Sequence, residues 1–555
     1  MYRRDGEAEY GSSFAGDLSS NDDRPRPAWA PRWALGLLLT MGCAAGEDQA
    51  FATTSHAPSG TGDEFASSTG GASTGACLDG DTDATCPPCD GEATGGECDD
   101  ECTLAFDVDC STFEEAYLKA STPGRMDGFG WPIAVDGATV AVGADGEASA
   151  ALGIGGDEGD NSAEASGAVY VFARSGTIWS QEAYIKRPRA DILGFGQSLS
   201  LRGDTLAVGS KTGVFIFTRT GNTWSPDAEL TAEHANAGDQ FGCSIALGED
   251  TLVVGARLED GSAEGGGHAN DLLDSGAVYV FERSGSVWEE RAYLKASNAG
   301  EGDQFGVSVS LAGSTLAVGA DREDSGSENR EDDNSQEDSG AVYIFTRTNA
   351  GWAQDAYLKA RTPGEQDRFG RAVSLGGASL AVGAHGESSA AQGVGGDQTD
   401  DTLDSSGAVY LFSRTGSTWT RDAYLKASTP GEDHQFGRSV SLRGTTLVVG
   451  APGESTAIRG VNSTTDSSWP RDDSGAAYVF EQLSGTWQQI AHVKASNTDE
   501  GDRFGTAVEL GDGFIAIGAP GEQSAARGVG GDQSNNAREG AGAVYIRRIA
   551  PTAEG

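Results

Sequence analysis

Seven Phe-Gly pairs, opened by Phe129, Phe195, Phe241, Phe305, Phe369, Phe436 and Phe504, each start a copy of one phrase. The spacings between them are 66, 46, 64, 64, 67 and 68 residues. A period of this kind, filled with short alternating segments, restricts the chain to an architecture that repeats one supersecondary unit. The copy beginning at Phe305 shows the unit. Val307, Val309 and Leu311 alternate with small or polar residues, as in a strand with two different faces. Residues 315–318 predict a second strand, the β-branched and aromatic run 341–345 a third, and residues 355–360 a fourth. Turns as short as Ala312-Gly313-Ser314 leave only antiparallel hairpins as connections.

The chain ends supply the closure. The last copy stops after its third strand, Gly542-Ala543-Val544-Tyr545-Ile546, and an orphan fourth strand, residues 115–120, precedes the first Phe-Gly pair. Moving the orphan into the last unit completes seven four-stranded sheets and removes the exposed edge of an open stack. The expected fold is therefore all-β, seven four-stranded units over residues 111–550 closed by an N-terminal strand. The 82 glycines suit its many tight turns. A net charge of −46 excludes nucleic acid and anionic membrane surfaces as electrostatic partners, and leaves many carboxylates available to divalent cations.

Residues 1–43 form an N-terminal extension in which Arg24, Arg26 and Arg32 precede an apolar run, 33–41, too short to span a bilayer. The segment Leu39-Thr40-Met41-Gly42-Cys43 resembles a bacterial lipoprotein signal. That resemblance implies lipidation of Cys43 and an exported, outer-membrane or cell-surface protein held to the membrane only by its lipid anchor. A plain secretory signal is the alternative. Residues 44–76 are a Ser/Thr/Gly-rich linker. Cys77, Cys86, Cys89, Cys98, Cys102 and Cys110 crowd into residues 77–110, and in an exported chain they predict a disulfide-stapled module of open pairing. Zinc is the rival, since the Cys86/Cys89 and Cys98/Cys102 spacings are ligand-like.

Phe-Gly, Val-Gly-Ala (followed by proline in Gly450-Ala451-Pro452 and Gly518-Ala519-Pro520) and Ser-Gly-Ala-Val-Tyr recur in this order. Together they resemble FG-GAP repeats, the units of the integrin α-subunit head and of bacterial surface proteins. The resemblance implies that the seven units form a seven-bladed β-propeller over residues 111–550, closed by the N-terminal strand. Integrin-type calcium sites occupy the hairpin between first and second strands, which here is only a few residues, as in Leu311-Ala312-Gly313-Ser314-Thr315. The family's calcium ligands therefore have no counterparts in this sequence.

Residues present in most blades are expected to be structural. They include the tryptophans at 179, 224, 288, 352, 419 and 487, and the Tyr-x-Lys pairs ending in Lys119, Lys295, Lys359 and Lys426. Asp127, Asp239, Asp303, Asp367 and Asp502 stand two residues before Phe-Gly and predict turn caps, a carboxylate ring at the channel mouth being the alternative. Function is expected where the blades differ, in the inserts between second and third strands. Three inserts share a pattern: Gly146-Glu147 with Gly153-Ile154-Gly155-Gly156-Asp157, Gly386-Glu387 with Gly393-Val394-Gly395-Gly396-Asp397, and Gly521-Glu522 with Gly528-Val529-Gly530-Gly531-Asp532. Gly453-Glu454 carries half of it. Oxygen ligands beside glycines suit calcium, so Glu147, Asp157, Glu387, Asp397, Glu454, Glu522 and Asp532 are the candidate ligands, against solvated loops. Trp469, which the repeat does not explain, is a candidate ligand contact. No catalytic constellation is present in the sequence. The leading expectation is a non-enzymatic surface binding or adhesion module for a protein or glycan, and the alternatives are an exported polysaccharide-acting enzyme and a structural envelope protein.

Overall fold

The computed structural model describes residues 114–549, apart from 233–234, 237, 263–269, 328–329 and 464–469. Cys43, the linker, the six-cysteine module and Trp469 lie outside the described residues. Seven four-stranded antiparallel sheets make up the fold, and no helix occurs among the described residues. In blade 4 the strands Ser308–Ala312, Thr315–Ala320, Ala341–Thr348 and Gly351–Leu358 pair in sequence order. The first strand of every blade touches the first strands of both neighbours, so these strands ring the axis and the fourth strands lie outermost.

Closure follows the expected route. Blade 7 comprises Ala507–Leu510, Phe514–Ala519 and Ala543–Arg548, and its outer strand is Glu114–Leu118 from the other end of the propeller, with Tyr117 opposite Tyr545 and Leu118 opposite Val544. The outer strands differ from expectation in one respect: they start earlier. In blade 4 the strand begins at Gly351 and includes Trp352. A bulge explains this, because Ile344 faces Ala356 while Phe345 faces Gln354, leaving Asp355 as an extra residue. The bulge reverses the inside–outside alternation in mid-strand, so the pattern after it looks like a strand of its own.

The core lies between blades. One cluster joins Phe129, Tyr170 and Phe172 of blade 1 to Phe514, Ala516 and Val544 of blade 7. Every Phe-Gly pair except the one at Phe241 links two blades in two ways. Its ring packs edge-on within its own blade, Phe369 lying 5.3 Å from Tyr410 and 6.1 Å from Phe412 between centroids. Its backbone docks on the preceding blade, where Phe369 N–H donates to the Ser339 carbonyl at 3.0 Å. Gly340, at φ +83°, sits so close that a Cβ there would lie 2.1 Å from the Phe369 carbonyl oxygen. Gly542 meets Phe129 at 2.0 Å in the same sense, which joins blade 7 to blade 1. The Ser-Gly-Ala and Phe-Gly motifs are thus two halves of one backbone contact that tolerates only glycine.

Deleting residues 113–120 strips blade 7 of its outer strand and exposes Tyr545 and Val544. Thermal melting followed by circular dichroism is expected to show a lower transition for the whole propeller, not the loss of one blade. An unchanged, cooperative melt would contradict closure.

Candidate functional site

The second-to-third-strand inserts and the loops leading into Phe-Gly interlock on one face of the ring. Met126 N–H donates to the Glu539 carbonyl at 2.9 Å, Gly302 N–H to Leu273 at 2.9 Å, Gln366 N–H to Glu337 at 2.8 Å and Gly501 N–H to Asp472 at 2.9 Å. Loop and preceding insert are therefore stitched together from blade to blade.

Beneath this face lies a motif that sequence reasoning missed. Three residues after each Val-Gly-Ala-type strand end stands a buried glutamate: Glu147, Glu259, Glu323, Glu387, Glu454 and Glu522. Each is ion-paired to a buried lysine at the end of an outer strand. The pairs are Glu147 with Lys186, Glu259 with Lys295 at 3.1 Å, and Glu323 with Lys359 at 2.9 Å. Glu387 pairs with Lys426 at 2.6 Å, Glu454 with Lys494, and Glu522 with Lys119 at 2.7 Å. In five of the six the lysine also donates to the serine of Ser-Gly-Ala, as Lys359 does to Ser339 Oγ at 2.7 Å, whereas Ala541 takes that place beside Lys119. The tyrosine of Tyr-x-Lys donates to the same carboxylate, with Tyr357 to Glu323 at 3.0 Å and Tyr424 to Glu387 at 2.6 Å. Blade 2 lacks the whole arrangement: its connection is Ser210-Lys211-Thr212-Gly213, and Thr231 stands where the lysine would be. That joint absence was the available signal, but the partners lie far apart in the chain, 403 residues in the case of Lys119 and Glu522.

Four of the carboxylates expected to bind calcium are thus engaged in ion pairs. Glu147 also accepts the Tyr184 hydroxyl at 2.9 Å and the Ser149 N–H at 3.1 Å, so its oxygens face protein donors. The three aspartates of the pattern lie apart from the glutamates, exposed, and cap their own turns: Asp157 accepts Gly159 N–H at 2.9 Å, Asp397 Thr399 N–H at 3.0 Å and Asp532 Ser534 N–H at 2.9 Å. The structure gives these seven residues two separate structural jobs in place of a shared ligand set. Among the described residues no three His, Cys, Asp or Glu side chains converge as a metal site.

The glycine-rich half of the pattern caps the edge of each outer strand. Lys426 N–H donates to Gly393 O at 2.8 Å, and Gly395 N–H to Tyr424 O at 2.9 Å. Val394 bridges Leu425, Ile154 bridges Ile185, Val461 bridges Val493 and Val529 bridges Leu118. These inserts therefore cover an edge that would otherwise present unpaired backbone groups.

The aspartates two residues before Phe-Gly are buried turn caps, as expected. Each accepts the N–H three residues back: Asp127 from Gly124 at 2.5 Å, Asp239 from Asn236 at 2.6 Å, Asp303 from Gly300 at 2.6 Å, Asp367 from Gly364 at 2.7 Å and Asp502 from Asp499 at 2.8 Å. Burial raises Asp127 to about 6 and Asp303, Asp367 and Asp502 to about 7; the backbone donor opposes the shift, and Glu147, Glu323, Glu387 and Glu522 respectively add to it. Burial also lowers the Lys119, Lys186, Lys295, Lys359 and Lys426 amines, with the partner glutamate pulling the other way. The repeated tryptophans pack between blades, Trp179 lying edge-on to Phe514 at 5.2 Å and Trp224 donating to Glu182 at 3.2 Å.

Comparison with known proteins agrees with this geometry. A family model described as FG-GAP repeat matches residues 224–281, 288–345, 352–412, 419–480 and 487–546, more than half of the chain. The chain belongs to the FG-GAP repeat family. Each matched unit begins at an outer-strand tryptophan and ends in the third strand of the next blade, so the FG-GAP repeat straddles two blades with the same offset that closes the ring. No curated protein matches the chain. A chain in the solved structure "Crystal Structure of Mitotic Checkpoint Complex" is similar at 13% identity and a TM-score of 0.41, over 80% of this chain and 98% of that one, a likeness too weak to bear on function.

Two outcomes follow. Lys359→Met leaves Glu323 buried without its cation, and equilibrium unfolding is expected to show a loss of about 3–5 kcal/mol; a loss below about 1 kcal/mol would mean that the pair is not an anchor. Asp303, Asp367 and Asp502 have folded-state values above their unfolded ones, so their stabilisation is complete below the ordinary carboxylate range and is lost as pH rises through about 7. The melting temperature should fall by several degrees from about pH 5.5 to about pH 8, and replacing all three by asparagine should flatten that slope.

Proposed function

We propose that this FG-GAP propeller is a non-enzymatic binding module, exported and lipid-anchored through Cys43, that presents its insert-bearing face to a surface protein or glycan. The observation that carries the reading is where the large exposed apolar side chains lie. Met126, Leu152, Leu193, Leu273, Val394 and Val529 all sit in the inserts or the loops leading into Phe-Gly on that face and Trp131 lines the central channel, whereas the third-to-fourth-strand hairpins at the other end contribute only Ile178, Val287 and Leu483. Apolar side chains set among acidic, hydrogen-bonded loops on a rigid ring have the composition of a recognition surface. The edge-capping inserts make that surface stiff, which limits the entropy lost on binding. Calcium is not required by this reading, because the carboxylates of the shared pattern already have structural partners.

The test is capture from envelope extracts and from a glycan array with the immobilised full chain. A Leu152→Asp/Val529→Asp variant should lose at least about tenfold of the captured binder, while Ile178→Asp retains it. Equal capture by all three proteins would remove the insert-bearing face from consideration.

A further inference from the structure

The axis of this acidic protein carries a cluster of positive charge that neither the fold nor the proposed binding face requires. The first strands enclose a central cavity of about 370 Å³, lined from all seven blades and including Arg257, Arg371 and Arg438. Arg371 and Arg438 each follow a Phe-Gly pair, where the other blades have Trp131, Gln197, Cys243, Val307 and Thr506. Arg257 follows Gly255-Ala256 at the end of a second strand, so all three stand where the channel opens toward the insert-bearing face.

Their neighbours leave them short of acceptors. Arg257 Nε donates to Gln240 Oε1 at 2.7 Å, a neutral partner. Arg371 Nε is 4.0 Å from Asp321 Oδ2, too far for a hydrogen bond. Arg438 has no side-chain hydrogen bond or ion pair among the described residues. The other titratable groups facing the cluster are His385, whose buried Nδ1 has no partner, Asp321, whose Oδ1 has none, Cys243, and Arg368, which is paired to Asp338 at 2.9 Å. Glu509 also lines the cavity and accepts the Ser441 hydroxyl at 3.0 Å.

We propose that Arg257, Arg371 and Arg438 form an oxyanion-binding site at the mouth of the propeller channel, taking a carboxylate, sulfate or phosphate group. Guanidinium forks offer paired donors matched to such groups, and three of them lining one open channel mouth attract an anion more strongly than scattered surface lysines would. Burial, followed by repulsion from Arg371, pushes Arg438 down to about 9, and Asp321 is the one carboxylate among its neighbours that opposes the shift. Three guanidinium groups share this single carboxylate, and a bound oxyanion would supply a second negative charge. This site does not depend on the apolar binding face, and failure of either leaves the other intact.

The experiment is calorimetry and thermal melting of the full chain with sodium sulfate, phosphate and glucuronate as separate probes, each against chloride at matched ionic strength. At least one probe should bind saturably at one site per chain and raise the melting temperature. Which probe does so separates a carboxylate from a tetrahedral ligand. Arg371→Gln/Arg438→Gln should weaken that binding at least about tenfold while the protein without probe keeps a cooperative melt. Arg202→Gln, on an exposed hairpin paired with Glu249, should bind as wild type does. Binding no stronger than chloride for all three probes, or equal binding by the double variant, overturns the proposal.

Discussion

The propeller depends on one close backbone approach. Wherever a Ser-Gly-Ala segment, or Ala541-Gly542-Ala543 in blade 7, meets the next Phe-Gly pair, the glycine comes within a distance of the phenylalanine carbonyl that no side chain permits, 2.0 Å from a would-be Cβ at Gly542 and 2.1 Å at Gly340. Because the phenylalanine ring is simultaneously held by aromatic residues of its own blade, each contact fixes the angle between two sheets. The same contact occurs at six of the seven junctions, the exception being that between blades 2 and 3, and the last one joins Gly542 to Phe129. Blade 2 shows what can vary: its short connection lacks the insert, yet its strands keep the register of the others.

Stacked directly above that contact is the buried Glu–Lys–Ser–Tyr arrangement. The serine of Ser-Gly-Ala receives the lysine, so the ion pair and the glycine contact share one short segment. An ion pair at this depth contributes less to net stability than to specifying which loop closes over which strand end, because desolvation offsets much of its attraction. The insert is thereby tied down at its root by the glutamate and at its far end by the edge bridge to the outer strand. Loops held at both points form a stiff face without regular secondary structure.

Much of the fold was legible because its determinants are local. Alternation in Val307, Val309 and Leu311, the two-residue hairpins and the orphan strand before Phe129 all act over a few residues, and the repeat states them seven times. The outer strands were misjudged because the bulge at Asp355 breaks the alternation that defines a strand. The site was less legible. Glu147 and Asp157 share one glycine-rich insert, which suggested a common ligand, but one side chain turns inward to Lys186 and the other caps an exposed turn.

What the sequence determined by itself is the unit, the number of units and the closure, since backbone periodicity and steric limits at glycine are properties of short segments. Tertiary structure alone decided the charge pairing and the channel. Lys119 finds Glu522 from the opposite end of the propeller, and Arg257, Arg371 and Arg438 come from three different blades to one mouth. Coulomb energy depends on separation in space and on local polarisability, neither of which is written in chain order.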